Sequence, residues 1–277
     1  MKSAWALVAS CVAALALAQD KPLVAGVDGT FAPHAMPRLS SGVEGFNIDL
    51  INEISRQIGR RIDLHVAEFS SLIPALNAGR IDFVGAPTTV TAERANSLLF
   101  TEGYLNTFFQ FVVAAGKPDL RNFADLKGKT IAANKDSAYD RWLTEHAAVH
   151  GFRAEAYPTH PDAVQAVLSG RADAALGGNT VAAHAALRNK GRLRLTTLVI
   201  NEGLVWAAPF RKEDWELRNV VDAAIECLKL NGTIARLHLK WFGTRPAPGS
   251  VALTVFPGYG VPGLPGYEAS THTPQCK

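Results

Sequence analysis

The sequence predicts an α/β fold with two lobes, each built on a sheet of mostly parallel strands. Short apolar runs alternate with amphipathic segments from residue 23 to residue 86, and the same alternation begins again near residue 129. Parallel strands joined by right-handed helical crossovers give this order. A long apolar run at 108–114 leaves the first series and residues 205–208 cross back. The first lobe is therefore discontinuous in sequence, and two crossover strands form a hinge.

The first series predicts three strands and two helices for the first lobe. Residues 46–58 form an amphipathic helix with isoleucines and leucines on one stripe, and Gly59 ends it. Strands are predicted at 23–27, 62–66 and 81–86, with a second helix at 70–78. The loop that begins at Asp28 follows the carboxyl end of the first strand, where open α/β sheets bind ligands.

The second series repeats the pattern and then returns to the first lobe. Strands are predicted at 130–133, 172–176 and 193–200, and helices at 139–150, 161–168 and 181–187. Two further helices, at 213–230 and 232–241, follow the second crossing, and Asn231-Gly232 separates them.

Composition and charge limit the function classes. The chain has 277 residues and a net charge of +3, which is too small to indicate nucleic-acid binding. We predict a signal peptide at 1–18, lobe 1 at 19–109 and 206–245, and lobe 2 at 110–205. Residues 246–277 are rich in proline and glycine and are predicted to form an extended, loosely ordered tail.

The first eighteen residues are typical of a signal peptide. Lys2 precedes an apolar run that ends in Ala16-Leu17-Ala18, a small-x-small cleavage site. A lipoprotein site at Cys11 is the alternative, although it would leave the apolar residues after it unused. Cleavage places the mature chain in the periplasm with Cys227 and Cys276, which can pair with each other or between molecules. His146 and His150 lie four apart on a helix without a third ligand, so no metal site is predicted.

A candidate anion site follows the strand at 81–86. Pro87 ends that strand, and Thr91 is predicted to cap a short helix in which Arg94 is the third residue. Free backbone N–H groups at a helix start attract anions, and the Arg94 guanidinium matches a carboxylate with two parallel hydrogen bonds. A solvated surface arginine at an ordinary turn is the alternative.

Seven motifs in order resemble one family. They are Phe46-Asn47-Ile48-Asp49-Leu50, Ile73-Pro74-Ala75-Leu76 with Gly79-Arg80-Ile81-Asp82, Thr91-Ala92-Glu93-Arg94, Phe100-Thr101-Glu102-Gly103-Tyr104, Asp125-Leu126-Lys127-Gly128-Lys129, Gly170-Arg171-Ala172-Asp173-Ala174 and Lys240-Trp241-Phe242-Gly243. Together they resemble the family 3 solute-binding proteins of ABC transporters, the polar amino acid group. The resemblance implies a type II periplasmic-binding-protein fold, a monomer without cofactor, and an ABC permease at the inner membrane as partner.

The resemblance also implies which residues of the first lobe hold the ligand. Arg94 and Thr89 match the positions that share the ligand carboxylate, and the backbone at Pro87 matches the one whose carbonyl takes an ammonium. Phe31 and Phe69 match aromatic walls, with plain core packing as the alternative. Asp28 matches an acidic position at the pocket edge, or is a turn residue before Gly29.

The second lobe departs from the family pattern. Asp136 stands where relatives have glycine, while Ser137 can still cap a helix and bond an anion. Gly178 stands where amino-acid binders usually have an aspartate for the ligand ammonium, and Asn179 beside it is a further candidate contact. We therefore expect a carboxylate without an ammonium, or a larger ligand above Gly177-Gly178. A Gly178→Asp change is expected to shift preference toward simple amino acids.

The predicted function is a non-enzymatic receptor that binds a small carboxylate-bearing solute between its lobes and presents it to the permease. Two alternatives stay open. Some members of this fold are periplasmic dehydratases, and Glu102 and Asp136 are unusual here, although no coherent acid–base pair or nucleophile is visible. An accessory or sensory protein that uses the scaffold for protein contacts is the other alternative.

Overall fold

The computed structural model describes residues 21–276, so the predicted signal peptide at 1–18 and its cleavage site lie outside the described part. The strands are β1 (Leu23–Val27), β2 (Met36–Pro37), β3 (Val43–Glu44), β4 (Ile62–Val66), β5 (Phe83–Val84), β6 (Thr88–Thr89), β7 (Leu98–Phe100), β8 (Leu105–Asn106), β9 (Phe109–Ala114), β10 (Thr130–Asn134), β11 (Arg153–Tyr157), β12 (Ala174–Gly178), β13 (Leu193–Ile200), β14 (Val205–Ala207) and β15 (Pro209–Arg211). The α-helices are α1 (Phe46–Ile58), α2 (Phe69–Asn77), α3 (Ala92–Ser97), α4 (Ala138–His150), α5 (His160–Leu168), α6 (Asn179–Arg188), α7 (Trp215–Leu230) and α8 (Thr233–Phe242).

One body of the molecule, lobe 1, carries a parallel sheet in the order β4-β1-β5. Helix α1 packs against it, because Phe46, Ile51 and Ile54 on its apolar face are buried. Gly59 ends α1 with a left-handed φ of 68°, a conformation that favours glycine. Helices α7 and α8 pack against the outer side of α1.

The other body, lobe 2, carries a five-stranded sheet in the order β11-β10-β12-β9-β13. Strands β10, β11 and β12 are parallel, and β9 runs antiparallel to both β12 and β13. Helices α4, α5 and α6 each follow a strand of this sheet, and their first residues therefore lie at the carboxyl ends of parallel strands. That edge of the sheet faces lobe 1.

The lobes are joined where the chain crosses between them. Strand β14 pairs antiparallel with β6 and with β8 in a small sheet at the crossing. A buried histidine, His34 of lobe 1, lies beside this sheet. Its Nδ1 is 2.9 Å from Oδ1 of Asn47, and its Nε2 is 2.8 Å from Oγ1 of Thr180 on α6. Its ring also meets the Trp206 indole edge-on at 4.7 Å. Through the contact with Thr180, His34 links lobe 1 to lobe 2 beside the crossing.

The predicted alternation of strands and helices is confirmed. The short strands β2, β3, β6, β7, β8 and β15 were not predicted, and two further differences concern the main sheets. Strand β11 was not predicted, because Arg153-Ala-Glu-Ala-Tyr157 has few β-branched residues and is half-exposed at the sheet edge. The strand predicted at 81–86 is shorter, since only Phe83 and Val84 pair with β1. Within residues 21–276, no helix combines the length and apolar character needed to cross a membrane.

The prediction of a loosely ordered tail is wrong, because the chain after Gly243 packs on lobe 1. Ala252 is buried, and Val261 and Leu264 pack against the core. The tail glycines are the physical reason. At Gly260, with φ 88°, a Cβ would be 2.8 Å from the Arg218 guanidinium, so only glycine lets the backbone approach this closely. We call residues 246–276 the strap.

The strap is held by hydrogen bonds to buried polar side chains and by a disulfide. The Gly260 amide donates to Asp222 at 2.6 Å, and the Lys229 ammonium, which pairs with Glu102 at 2.6 Å, donates to a strap carbonyl. Burial raises the pKa of Asp222 to about 8. Cys227 on α7 is joined to Cys276 in the same chain. Of the two pairings that the sequence left open, the structure has the intramolecular one.

Candidate functional site

Arg94 is the third residue of α3 and lies between the lobes. The Thr91 hydroxyl accepts a hydrogen bond from the Arg94 amide at 3.2 Å and so caps the helix as predicted. The guanidinium donates from Nη1 to the Thr89 carbonyl at 2.9 Å and from Nη2 to the Asp136 carbonyl at 3.1 Å. It also lies 5.7 Å from the centre of the Phe69 ring. A permanently charged fork is thus fixed at the boundary of the two lobes.

Lobe 2 meets Arg94 with the turn before α4. Asp136 has a left-handed φ of 59°, which aspartate tolerates better than most residues. This conformation directs its carbonyl toward Arg94. Ser137 is buried, and its hydroxyl accepts a hydrogen bond from the Asp140 amide at 3.1 Å, which confirms it as the cap of α4. The hydroxyl therefore already has one fixed partner.

Most of the predicted site residues surround one small space, which we call the inner cavity. Its volume is about 10 Å³, room for a single water molecule. The lining residues come from both lobes: Phe31, Phe69, Pro87, Thr89, Arg94, Asn134, Ser137, Ala138 and Tyr139. Six of the nine predicted ligand residues belong to this set. A molecule of more than a few atoms does not fit in this volume.

A larger cavity adjoins the inner one. We call it the outer cavity; its volume is about 470 Å³ and it shares Arg94, Ser137 and Ala138 with the inner cavity. On its rim, Glu93 of α3 forms an ion pair with Arg141 of α4. Arg141 also pairs with Glu145 at 2.8 Å. The rim is therefore bridged by charges from both lobes.

The expectation of free space above Gly177-Gly178 is wrong. A Cβ built on Gly178 would lie 2.5 Å from Cζ2 of Trp206 and 2.7 Å from the Tyr139 hydroxyl. A Cβ on Gly177 would lie 2.6 Å from the His160 ring. Side chains of this protein, not a large ligand, occupy the volume that the two glycines release. The Trp206 indole donates to the Thr89 hydroxyl at 3.1 Å, so this packing is tied to the predicted carboxylate site.

Asp28 and Asn179 are not brought to the inner cavity. The Asp28 carboxylate is buried and accepts hydrogen bonds from the amide and hydroxyl of Thr30, and from the Phe69 amide at 3.3 Å. It therefore organises its own loop, the alternative that the sequence left open. Asn179 begins α6 and lies in a separate cavity of about 360 Å³ on the other side of the crossing.

Sequence reasoning missed four residues of this region: Asn134, Tyr139, His160 and Trp206. The Tyr139 hydroxyl lies against Thr89 and Trp206, and burial raises its pKa, so it stays protonated. The exposed fraction of His160 is 3%, and burial lowers its pKa to about 4, which keeps its imidazole neutral. Asn134 and Tyr139 lie three residues before and two residues after the predicted Ser137, and this proximity is the one local signal that would have found them.

The chemistry of the inner cavity suits the capture of an anion. Arg94 supplies hydrogen-bond donors and positive charge, and the Phe31 and Phe69 rings exclude water. Desolvation lowers the pKa of Arg94, whereas nearby Tyr139 and Glu93 raise it. Within residues 21–276, no group of three or more histidines, cysteines or carboxylates is arranged to hold a metal ion.

Known proteins match the chain along most of its length. Residues 23–244 match the bacterial extracellular solute-binding proteins, family 3. The L-arginine-binding protein of Pseudomonas aeruginosa is 28% identical over 245 residues, covering 86% of this chain and 94% of that protein. The L-cystine-binding protein of Escherichia coli (strain K12) is 26% identical over 222 residues, covering 80% and 82%. An ancestral arginine-binding protein bound to arginine superposes with a TM-score of 0.77 at 28% identity, covering 81% of this chain and 100% of that one.

Proposed function

Because this chain belongs to the bacterial extracellular solute-binding proteins of family 3, we propose that it is the solute receptor of an ABC importer. Its fold is the type II periplasmic-binding fold. The solute is an amino acid or a related small carboxylate that is bound between the lobes. The names of the relatives support this class, since they are binding proteins for arginine and cystine.

One observation carries the proposal. The Arg94 guanidinium stands at the boundary of the lobes and donates to one carbonyl on each side. A solute carboxylate can take the place of these carbonyls and make two charge-assisted hydrogen bonds, which are stronger than bonds to neutral oxygen. Thr89 and Ser137 lie in the same cavity and supply the remaining polar contacts. Solute binding is thereby linked to the relative position of the lobes.

The rest of the assignment follows from the family. The receptor acts as a periplasmic monomer after removal of residues 1–18 and delivers the solute to a permease in the inner membrane. Lobe 1 comprises 19–109 and 206–245, and lobe 2 comprises 110–205. The solute is released unchanged, as expected for a member of a family of solute-binding proteins.

The test is calorimetry on the protein purified from the periplasm, after removal of bound solute by unfolding and refolding. Amino acids and small mono- and dicarboxylates are titrated separately, and the solute is examined afterwards by NMR. Saturable binding of at least one carboxylate without conversion supports the receptor. Conversion of the solute would identify an enzyme, and the absence of any carboxylate binding would overturn the proposal.

A further inference from the structure

The inner cavity has a positively charged residue at one end and no negatively charged residue among its lining. Its cation is Arg94, and its nine lining residues include no aspartate or glutamate. Asp28, the acidic residue predicted for the site, has Oδ1 engaged by Thr30 of its own loop and Oδ2 engaged by the Phe69 amide at the start of α2. A second cationic group placed in this cavity would therefore lose its water without gaining an ionic partner, which is strongly unfavourable.

Asn134 lines this cavity and carries a side-chain acceptor that no described residue satisfies. It is the last residue of β10, at the strand end that faces lobe 1, and its exposed fraction is 2%. Its Oδ1 is buried and has no hydrogen-bond partner among residues 21–276. A buried acceptor without a donor is unfavourable, so natural structures rarely keep one unless a ligand or water satisfies it. The group that satisfies Asn134 must offer an N–H or an O–H.

His160 does not line the cavity itself but is a buried, uncharged polar residue in contact with Phe31. Its ring meets Phe31, which lines the cavity, edge-on at 6.0 Å, and neither ring nitrogen has a partner in the described chain. The ring lies over Gly177, where any Cβ would displace it. Because burial keeps the imidazole neutral, it offers one donor and one acceptor and no charge.

We propose that the solute is a carboxylate whose opposite end is an uncharged hydrogen-bond donor, such as a carboxamide or a hydroxyl. Arg94 takes the carboxylate, and Asn134 accepts the N–H or O–H of the other end. This inference rests on the proposed function and narrows it. It sets the protein apart from a receptor for solutes with a cationic side chain, because such a side chain finds no carboxylate in the inner cavity.

The wild-type protein can be tested with two matched series of solutes. One series has no α-amino group and comprises glutaramate, glutarate and 5-aminopentanoate. The other has an α-amino group and comprises glutamine, glutamate and ornithine. Within each series the molecules share nearly the same length and differ at the far end, which is an amide, a carboxylate or an ammonium. In the series that binds, the amide is expected to bind about tenfold more tightly than either charged solute.

Two variants assign the preference to Asn134. Asn134→Leu removes the acceptor at similar size, and the amide should lose its roughly tenfold advantage while glutarate or glutamate binds as before. Asn134→Asp supplies a negative charge and should move the preference to the ammonium-bearing solute. Asn77→Asp, the same change at the exposed end of α2, is the control and should leave the order unchanged. Circular dichroism and the unfolding midpoint establish that each variant is folded.

The outcomes separate this inference from the function beneath it. If carboxylates bind and the ammonium-bearing solute is preferred, its cationic end reaches Asp136 or Asp140 in the outer cavity, and only this inference is overturned. An amide preference that survives Asn134→Leu would overturn it as well. Binding of none of the six solutes, nor of any other small carboxylate, would overturn the proposed function together with it.

Discussion

Arg94 of lobe 1 donates a hydrogen bond to the carbonyl oxygen of Asp136 of lobe 2 across 3.1 Å. The neighbouring Glu93 pairs with Arg141 of lobe 2 in the same region. Two successive residues of one short helix thus span the gap between the lobes. Any group that binds Arg94 acts directly on a contact between the lobes.

Arg94→Ala should abolish most of the solute affinity. We expect a loss of about 2–5 kcal/mol, because removal of one partner of a buried charge pair leaves the other charge without compensation. Calorimetry with the tightest-binding carboxylate measures the change. Arg80→Ala, an exposed arginine of the same lobe, is the control and should bind as the wild type does. Equal affinities of the two variants would rule out Arg94 as the carboxylate anchor.

Gly178→Ala should destabilise the protein, because the added Cβ overlaps Trp206 and Tyr139. Overpacking of this kind costs about 1–3 kcal/mol, and Gly178→Asp should cost more because it also buries a charge. This outcome replaces the expectation that Gly178→Asp shifts solute preference. Denaturant unfolding gives the free energies. Gly116→Ala, where a Cβ meets nothing within 4 Å, should change little. A Gly178→Ala protein as stable as the wild type would show that the indole moves away freely.

Loss of the disulfide should lower the free energy of unfolding by roughly 4 kcal/mol, given the 49-residue separation of Cys227 and Cys276. Cys276→Ser is the suitable change, since Cys276 is exposed and Cys227 is buried. Unfolding in urea, with and without a reductant, compares the two proteins. Reduction should affect only the wild type. Mass spectrometry of the unreduced protein should find the two cysteine peptides linked, and two free thiols would contradict the pairing.

Acid should destabilise the fold partly through His34. Burial lowers the pKa of His34 to about 3, from an ordinary value of 6.5. Below about pH 6.5 this histidine is protonated in the unfolded chain but stays neutral in the folded protein. The free energy of unfolding therefore falls as the pH falls from 6.5 toward 3. His34→Gln should reduce this slope between pH 6.5 and 4.5. Urea titrations at several pH values measure it, with exposed His65→Gln as control. Parallel slopes for wild type and His34→Gln would refute the assignment.

Local patterns predicted the alternation of strands and helices and the anion site at Arg94, since each depends on residues close in sequence, whereas Phe31, Phe69 and Thr89 were predicted only through the family resemblance. The cap at Thr91 and the place of Arg94 follow from seven consecutive residues. Trp206 could not be found in this way, because it lies over Gly178 only after the chain has crossed back from lobe 2. Asn134 ends an apolar strand and carries no motif. Asn134 is important because its amide oxygen has no hydrogen-bond partner among the described residues, and only the packed structure shows this.

The strap was mistaken for loose chain for a related reason. Its glycines and prolines indicate flexibility when they are read locally. Contacts with distant residues decide otherwise: Phe256 donates to Glu102 at 3.0 Å, and Gln57 donates to the carbonyl of Gln275 at 3.2 Å. Both partners lie far upstream in lobe 1, so no window of sequence contains the two sides of either contact.

The anchored strap makes this protein suited to optical detection of its solute. In a receptor with a free tail, a dye near the carboxyl terminus samples many positions and its signal averages out. Here a dye at exposed Thr271 would move rigidly with lobe 1, since the disulfide at Cys276 holds the strap just beyond it. A second dye at Val149 on α4, whose exposed fraction is 76%, would move with lobe 2. Energy transfer between the two dyes would then follow the opening and closing of the cleft in real time.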